Sequence, residues 1–133
     1  MLSQDYYDAL VFIVDCDELC LKARSEALLL AGFKVMSFAS FAEAGLRLRD
    51  QTPRLLILGS LSVSDLPLAT IENLIGSYRT GESTQYGLVL GLGDSNDQPP
   101  GLSLDDYLQL PLSEAALIKR LTILLRLEKA ERE

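Results

Sequence analysis

The stretch Leu55-Leu56-Ile57-Leu58, followed at once by Gly59-Ser60, decides the fold of this chain. Four consecutive apolar residues after Pro53-Arg54 are typical of a strand that is buried on both faces, as in a parallel sheet covered by helices on either side. Such a strand lies in the middle of a domain. In open α/β sheets, reactive side chains gather just beyond the carboxyl ends of the strands, and here that place holds a glycine and a serine.

The composition indicates one folded domain of ordinary size. The chain has 133 residues, of which 48% are hydrophobic and 23% are charged, which is enough to enclose a hydrophobic core. Its formal net charge of −7 repels phosphate backbones. We therefore expect no direct binding of nucleic acid by this segment.

Several kinds of site are excluded or disfavoured by residue type. The chain has no histidine, which excludes imidazole metal ligands and a histidine general base. Cys16 and Cys20 lie one helical turn apart, and so few cysteines favour thiols in a reducing compartment over a disulfide or a metal site. The sequence contains no apolar run of membrane-spanning length and no signal segment at its start, so we expect a cytoplasmic protein that does not contact membranes.

Strands and helices are predicted to alternate along the whole chain. Apolar runs predict strands at 9–14, 34–38, 55–58, 87–90 and within 104–110. Helical spacing and capping residues predict helices at 18–31 and 41–50, a third that begins after Ser64 and Asp65, and a last one from Glu114 toward Arg132. The prolines at 99 and 100 predict an irregular fourth crossover with at most one helical turn. This order predicts a three-layer α/β fold with a parallel sheet.

Three segments make the chain resemble the receiver domain of bacterial two-component response regulators. They are the strand end Ile13-Val14-Asp15, the segment 53–58, and, most specifically, the segment 105–111 before the last helix. The resemblance implies a doubly wound, flavodoxin-like sheet of five strands in the order 2-1-3-4-5, with a crevice beside strands one and three. It also implies a single receiver-like domain over residues 1–133 and a cis peptide at Leu110-Pro111.

Receivers transfer a phosphoryl group to an aspartate at the end of strand three, and the resemblance assigns five positions of this chain to that site. Asp15 falls on the first acidic position, which holds Mg²⁺, but Cys16 falls on the second, where a thiol is a poor ligand. Gly59 falls on the phosphoacceptor, Gly91 on the hydroxyl position and Leu110 on the lysine. Four of the five positions therefore lack the required chemistry.

These losses predict a non-phosphorylatable pseudo-receiver that is not an enzyme and holds no cofactor. A shift by one residue would bring Ser60 to the acceptor position, but the other partners would still be missing. Asp15 and Asp17 are weak candidates for a divalent cation, and a solvated pair at a helix amino terminus is the preferred interpretation. The alternative hypothesis is a small-molecule sensor, in which the crevice at Asp15, Gly59 and Gly91 is left empty and takes a nucleotide or metabolite.

The last helix is apolar around most of its circumference, whereas packing on one sheet face needs only a stripe. We therefore expect a signalling or transcription-regulatory interaction module that forms a homodimer or binds a protein partner. The alternative is that the loop containing Pro99 and Pro100 covers the apolar surface of this helix that the sheet does not cover. Residues 126–133 are expected to begin a helical linker to an output region. The predicted interface residues are Leu117, Ile118, Leu121, Leu124, Leu125 and Leu127.

Overall fold

The structure of the protein, a computed structural model, describes residues 9–61, 68–80, 87–97 and 101–132. Within these ranges the chain forms five strands and four helices, which alternate up to the fourth strand. The predicted caps at Ser64 and Asp65 and the prolines at 99 and 100 lie outside the described residues. The strands are β1 (Leu10–Val14), β2 (Lys34–Phe38), β3 (Leu55–Leu61), β4 (Leu88–Gly93) and β5 (Asp106–Gln109). The helices are α1 (Glu18–Leu30), α2 (Phe41–Arg47), α3 (Leu68–Thr80) and α4 (Glu114–Arg132).

The five strands form one parallel sheet in the order β2-β1-β3-β4-β5. This confirms the predicted fold class and strand order. The peptide bond between Leu110 and Pro111 is cis. No helix in the described ranges is long and apolar enough to span a lipid bilayer.

Alternation along the buried strands divides the core into two layers. On β1, Val11 and Ile13 point to the face covered by α1 and α4, whereas Phe12 and Val14 point to the face covered by α2 and α3. Successive side chains of a strand point to opposite faces, so a continuously apolar strand supplies both layers at once. The core therefore requires the unbroken apolar runs from which the strands were predicted.

The connection between β4 and β5 covers the sheet without a helix in the described residues. Leu102 is buried in the layer that α3 also covers, and Leu104 packs against that layer. The Asp105 carboxylate anchors the segment, because its Oδ2 atom accepts hydrogen bonds at 2.7 Å from the backbone amide of Val89 and from Nη2 of Arg79. The described part of this crossover is irregular, as predicted.

Three element ends differ from the prediction. Strand β3 does not stop at Leu58 but continues through Gly59 to Leu61, with a shift of its register against β4 between Leu58 and Leu61. Strand β4 also runs on to Gly93. A Gly-Ser pair is typical of a turn, but here Leu58 and Leu61 on either side of it both pair with β4, so the strand continues across the shift in register. Helix α2 ends at Arg47 rather than near residue 50, and a turn follows it.

Candidate functional site

Asp15 stands at the carboxyl end of β1 and is the one charged residue of the described chain that is fully buried. One carboxylate oxygen accepts a hydrogen bond from the backbone amide of Asp17 at 2.9 Å. The other lies 2.7 Å from Nη1 of Arg24, whose side chain is only 12% exposed. A carboxylate that is removed from water needs such a counter-charge and such hydrogen bonds. Arg24 supplies the charge, and the first turn before α1 supplies the amide.

Gly59 lies directly beside Asp15, because Val14 and Leu58 are register partners on β1 and β3. A Cβ atom at Gly59 would lie 2.5 Å from Oδ2 of Asp15 and 2.9 Å from its Cγ. The Asp15 carboxylate therefore occupies the space into which a side chain at position 59 would point. The Asp15–Arg24 ion pair therefore depends on the absence of a side chain at Gly59.

A pair of glycines on β4 has a role similar to that of Gly59. Gly91 is the register partner of Tyr107 on β5, and the Tyr107 ring leans over Gly91 and Gly93. A Cβ at Gly93 would lie 2.5 Å from the Tyr107 hydroxyl oxygen and 2.6 Å from the carbonyl oxygen of Leu61, and a Cβ at Gly91 would lie 2.7 Å from a methyl group of Leu104. The two glycines thus form the flat surface on which an aromatic ring of the neighbouring strand rests.

The Tyr107 hydroxyl donates a hydrogen bond to the carbonyl oxygen of Ser95 at 2.8 Å, which ties β5 to the turn after β4. Burial raises the pKa of the Tyr107 hydroxyl, and the nearby carboxylates of Asp94 and Asp97 raise it further. The phenol is therefore held in its neutral form, in which it can donate this bond.

These contacts correct the prediction of an empty crevice. At Gly59 the space is filled by Asp15, and at Gly91 it is filled by Leu61, Leu104 and Tyr107. Both glycines also lie inside strands rather than beyond their ends. The alternative hypothesis of a small-molecule sensor therefore loses the cavity on which it depended at these positions.

A small cavity does lie on the other side of Arg24, between α1 and the start of α4. Its volume is about 110 Å³, and its walls include Cys20, Arg24, Ser113 and Leu117. Pockets for drug-sized ligands usually measure about 300–1,000 Å³. The cavity is therefore on the scale of a few water molecules.

The remaining predicted site residues do not converge on a reactive group. Cys16 is exposed and Cys20 half-buried, and neither thiol forms a disulfide. Leu110, at the position that the resemblance assigns to a lysine, packs against the core layer under α1 and α4. The side chain of Ser60 lies outside the described residues. The described ranges also contain no cluster of three or more carboxylates or thiols that could hold a metal ion.

Asp17 is the N-cap of α1 and not a partner of Asp15 in a cation site. Its side chain accepts hydrogen bonds from the backbone amides of Leu19 and Cys20. These bonds, above all the one from the Cys20 amide, lower the pKa of the Asp17 carboxyl. Burial raises the pKa of the Cys20 thiol, and its hydrogen bond with Asp17 adds to that shift. The preferred sequence interpretation, a solvated pair at a helix amino terminus, agrees with this geometry for Asp17 but is wrong for Asp15, which is fully buried and paired with Arg24.

The structure corrects the prediction that the leucines of the last helix form an interface. The side chains of Leu117, Leu121, Leu124 and Leu125 are all buried in the domain's own core, and Ile118 packs against it. The side chain of Leu127 lies outside the described part of the chain. Helix α4 needs so many apolar positions because it covers β1, β3 and β4 together with α1, and the described turns leave only Ile123 as a large exposed apolar side chain.

Arg24 and Tyr107 are the site residues that sequence reasoning missed. Arg24 lies nine residues beyond Asp15, on the side of α1 that turns toward the core. A single arginine there is a signal for a buried ion pair, but its partner is visible only in three dimensions. Tyr107 was predicted to lie on the fifth strand, whereas its seat on Gly91 and Gly93 depends on the pairing of β4 with β5.

No family model and no curated protein sequence matches the chain. Several solved structures match its fold. A CheY-like response regulator receiver domain protein from Methanospirillum hungatei JF-1 has a TM-score of 0.76 at 14% identity, covering 93% of this chain and 98% of its own. The chemotaxis response regulator CheY4 of Vibrio cholerae has a TM-score of 0.72 at 17% identity, covering 88% and 98%.

A putative response regulator from Chloroflexus aurantiacus J-10-fl has a TM-score of 0.71 at 23% identity, covering 90% of this chain and 98% of its own. All three are thus similar over nearly their whole length and differ at most sequence positions. At these identities the likeness establishes the fold alone. The chain has the fold of a CheY-like receiver domain.

Proposed function

We propose that this chain is a pseudo-receiver: a receiver-like domain that does not accept a phosphoryl group, is not an enzyme, and acts in signalling or transcription regulation through contacts with other proteins. The observation that carries the proposal is the contact between Gly59 and Asp15. The position that corresponds to the phosphoacceptor has no side chain, and the space above it holds a carboxylate already engaged by Arg24.

Arg24 also supports the absence of a bound cation in this proposal. In a receiver, the acidic residues after strand one neutralise their charge on Mg²⁺, which prefers oxygen ligands and keeps several waters. Here a guanidinium 2.7 Å from Asp15 neutralises the carboxylate from within the chain, and the neighbouring residue is a cysteine. A second cation at the same carboxylate would have to displace Arg24 from a buried ion pair.

Without phosphorylation, another event must set the state of the domain. A two-state protein responds to any ligand that binds one state better than the other, and a protein partner or a second copy can serve that purpose.

The proposal is tested by incubating the full chain with acetyl phosphate and Mg²⁺ and measuring its intact mass. We expect no phosphoryl adduct, whereas a chemotaxis response regulator treated in parallel should gain one. We also expect Mg²⁺ alone to leave the midpoint of thermal unfolding unchanged, because a cation that bound the folded state would raise it. A stoichiometric, acid-stable or acid-labile phosphoryl adduct would contradict the proposal.

A variant distinguishes two reasons for the absence of phosphorylation: the missing carboxylate at position 59, and the space that Asp15 already fills. We expect Gly59→Asp to remain unphosphorylated, because the new carboxylate would compete with Asp15 for the same space. Phosphorylation of this variant would show that the machinery around position 59 is intact and that only the acceptor is missing. Gly76→Asp on the exposed side of α3, where a Cβ meets no atom within 4 Å, is the matched control for an added carboxylate.

A further inference from the structure

Helix α1 carries most of the large apolar side chains that the described chain exposes. Leu19 is 82% exposed, Leu29 56% and Leu30 89%. Only Leu46 on α2 and Ile123 on α4 are comparable elsewhere in the described ranges. A soluble domain that places three exposed leucines on one helix of 13 residues presents an interaction surface there.

The exposed residues of α1 follow the spacing of a helix–helix seam. Leu19, Ala23, Glu26 and Leu30 succeed one another at intervals of four, three and four residues, which places them in one narrow stripe along the helix. The stripe lies on the side opposite Leu28, which is fully buried against the sheet. The outward side of helix α1 therefore carries two leucines and an alanine around one carboxylate, and nothing in the described chain covers it.

Glu26 lies within this stripe and Lys22 at its edge, one turn away, and both side chains are exposed. Neither forms an ion pair within the described residues. In a parallel pair of α1 helices, Glu26 would meet its own copy in the seam, which is repulsive. In an antiparallel pair, Lys22 of each copy meets Glu26 of the partner subunit.

We propose that the stripe Leu19–Ala23–Glu26–Leu30 binds the same stripe of a second copy of this chain, antiparallel and about a two-fold axis. Leu19 then faces Leu30 of the partner subunit, and the small side chain of Ala23 leaves room for Glu26 of the partner subunit. Such an interface is isologous, so one set of residues supplies both halves. This inference deepens the proposed function, on which it rests, and places self-association on α1 rather than on α4.

The size of the surface sets the expected strength. A helix of 13 residues is about 20 Å long. A single pair of such helices buries less than the roughly 1,600 Å² of a standard interface. The dimer should therefore be weak, with a dissociation constant in the micromolar range, and should respond to the concentration of the chain.

Sedimentation equilibrium of the full chain up to high micromolar concentration tests the apolar part. We expect the wild type to dimerise, and Leu19→Lys and Leu30→Lys each to raise the dissociation constant at least about tenfold, since each change occurs twice in the dimer. Leu46→Lys, which alters a leucine on α2 that is 59% exposed, should leave the constant unchanged. A monomeric wild type, or a dimer that neither α1 variant weakens, would overturn the inference.

Charge reversal tests the antiparallel arrangement. Lys22→Glu and Glu26→Lys should each weaken self-association, because each creates two like-charged pairs. An equimolar mixture of the two variants should associate more tightly than either alone, because both pairs are again of opposite charge. A mixture no tighter than its components would overturn the arrangement. Circular dichroism should show all variants folded, as the substituted side chains are exposed.

The outcome is separable from that of the proposed function. A chain that dimerises through α1 but takes up a phosphoryl group would contradict only the proposed function. A chain that takes up none and stays monomeric would contradict only the dimer.

Discussion

Two regions at the carboxyl edge of the sheet have glycines whose surroundings are filled in different ways. Beside β1 and β3, Gly59 makes room for a buried ion pair between Asp15 and Arg24. Beside β4 and β5, Gly91 and Gly93 make room for an aromatic ring.

The first region is held by opposite charges out of water, so its stability depends on both partners being present. The second is held by packing, so its stability depends on shape. The comparison shows that glycines at the carboxyl edge of a sheet need not mean an open site.

The largest expected effect comes from breaking the ion pair. Arg24→Ala leaves the Asp15 carboxylate buried without a counter-charge, and we expect the free energy of unfolding to fall by about 3–5 kcal/mol. Urea unfolding followed by circular dichroism measures the loss. The double variant Asp15→Asn/Arg24→Met should recover most of it, because both charges are removed together. A loss below about 1 kcal/mol for Arg24→Ala would mean that the pair acts like a surface ion pair.

Adding one carbon to Gly59 tests how tightly this region is filled. Gly59→Ala should cost about 1–3 kcal/mol, because its Cβ would overlap the Asp15 carboxylate. The cost should shrink in an Asp15→Ala background, and the double-mutant cycle reports the coupling. Gly76→Ala on α3 is the control and should stabilise the protein by about 0.5–1 kcal/mol, since no atom lies near its Cβ. Equal effects at both glycines would contradict the filled site.

The packed region should show a graded response. A Cβ at Gly93 meets the backbone carbonyl of Leu61, which cannot move aside, whereas a Cβ at Gly91 meets a methyl group of Leu104, which can. We expect both Gly93→Ala and Gly91→Ala to destabilise within the range of about 1–3 kcal/mol, with the larger loss at Gly93. Chemical unfolding of the two variants side by side measures the difference. A larger loss for Gly91→Ala would argue against rigid packing of the Tyr107 ring on Gly93.

The smallest expected effects depend on pH and have opposite directions in the two regions. The folded pKa of Asp17 lies below its ordinary value of 3.8, so its contribution is present above that value and is lost as pH falls through the folded pKa. The folded pKa of Tyr107 lies above 10.0, so its contribution is complete below pH 10 and is lost as pH rises through 10 toward the folded pKa.

The free energy of unfolding, measured as a function of pH, should therefore fall less steeply in acid for Asp17→Asn than for the wild type. It should fall less steeply in alkali for Tyr107→Phe. Identical slopes for wild type and variants would contradict the assignments.

Local patterns predicted much of the fold. Strand β2 and helix α4 have the predicted bounds. The alternation of polar and apolar residues marks β2, and the cap at Ser113 followed by helical spacing marks the start of α4. Both patterns depend only on residues close together in the sequence. The predicted end of β3 was wrong, because Gly59-Ser60 is typical of a turn but lies here between Leu58 and Leu61, which both pair with β4. The burial of Leu121 and Leu125 was misjudged because the area that a helix covers depends on its neighbours.

The sequence by itself determined that this is a parallel α/β domain, because apolar runs are a property of the local sequence, and its resemblance to receivers predicted that Gly59, Gly91 and Leu110 stand where those domains carry reactive side chains. Only the tertiary structure decided which side chains fill the space beside Gly59 and Gly91. Asp15 and Arg24 lie nine residues apart, and Gly91 and Tyr107 lie on different strands. Contacts of that kind depend on how strands and helices assemble. As a result, the two predicted gaps are filled, one by a buried ion pair and the other by the ring of Tyr107.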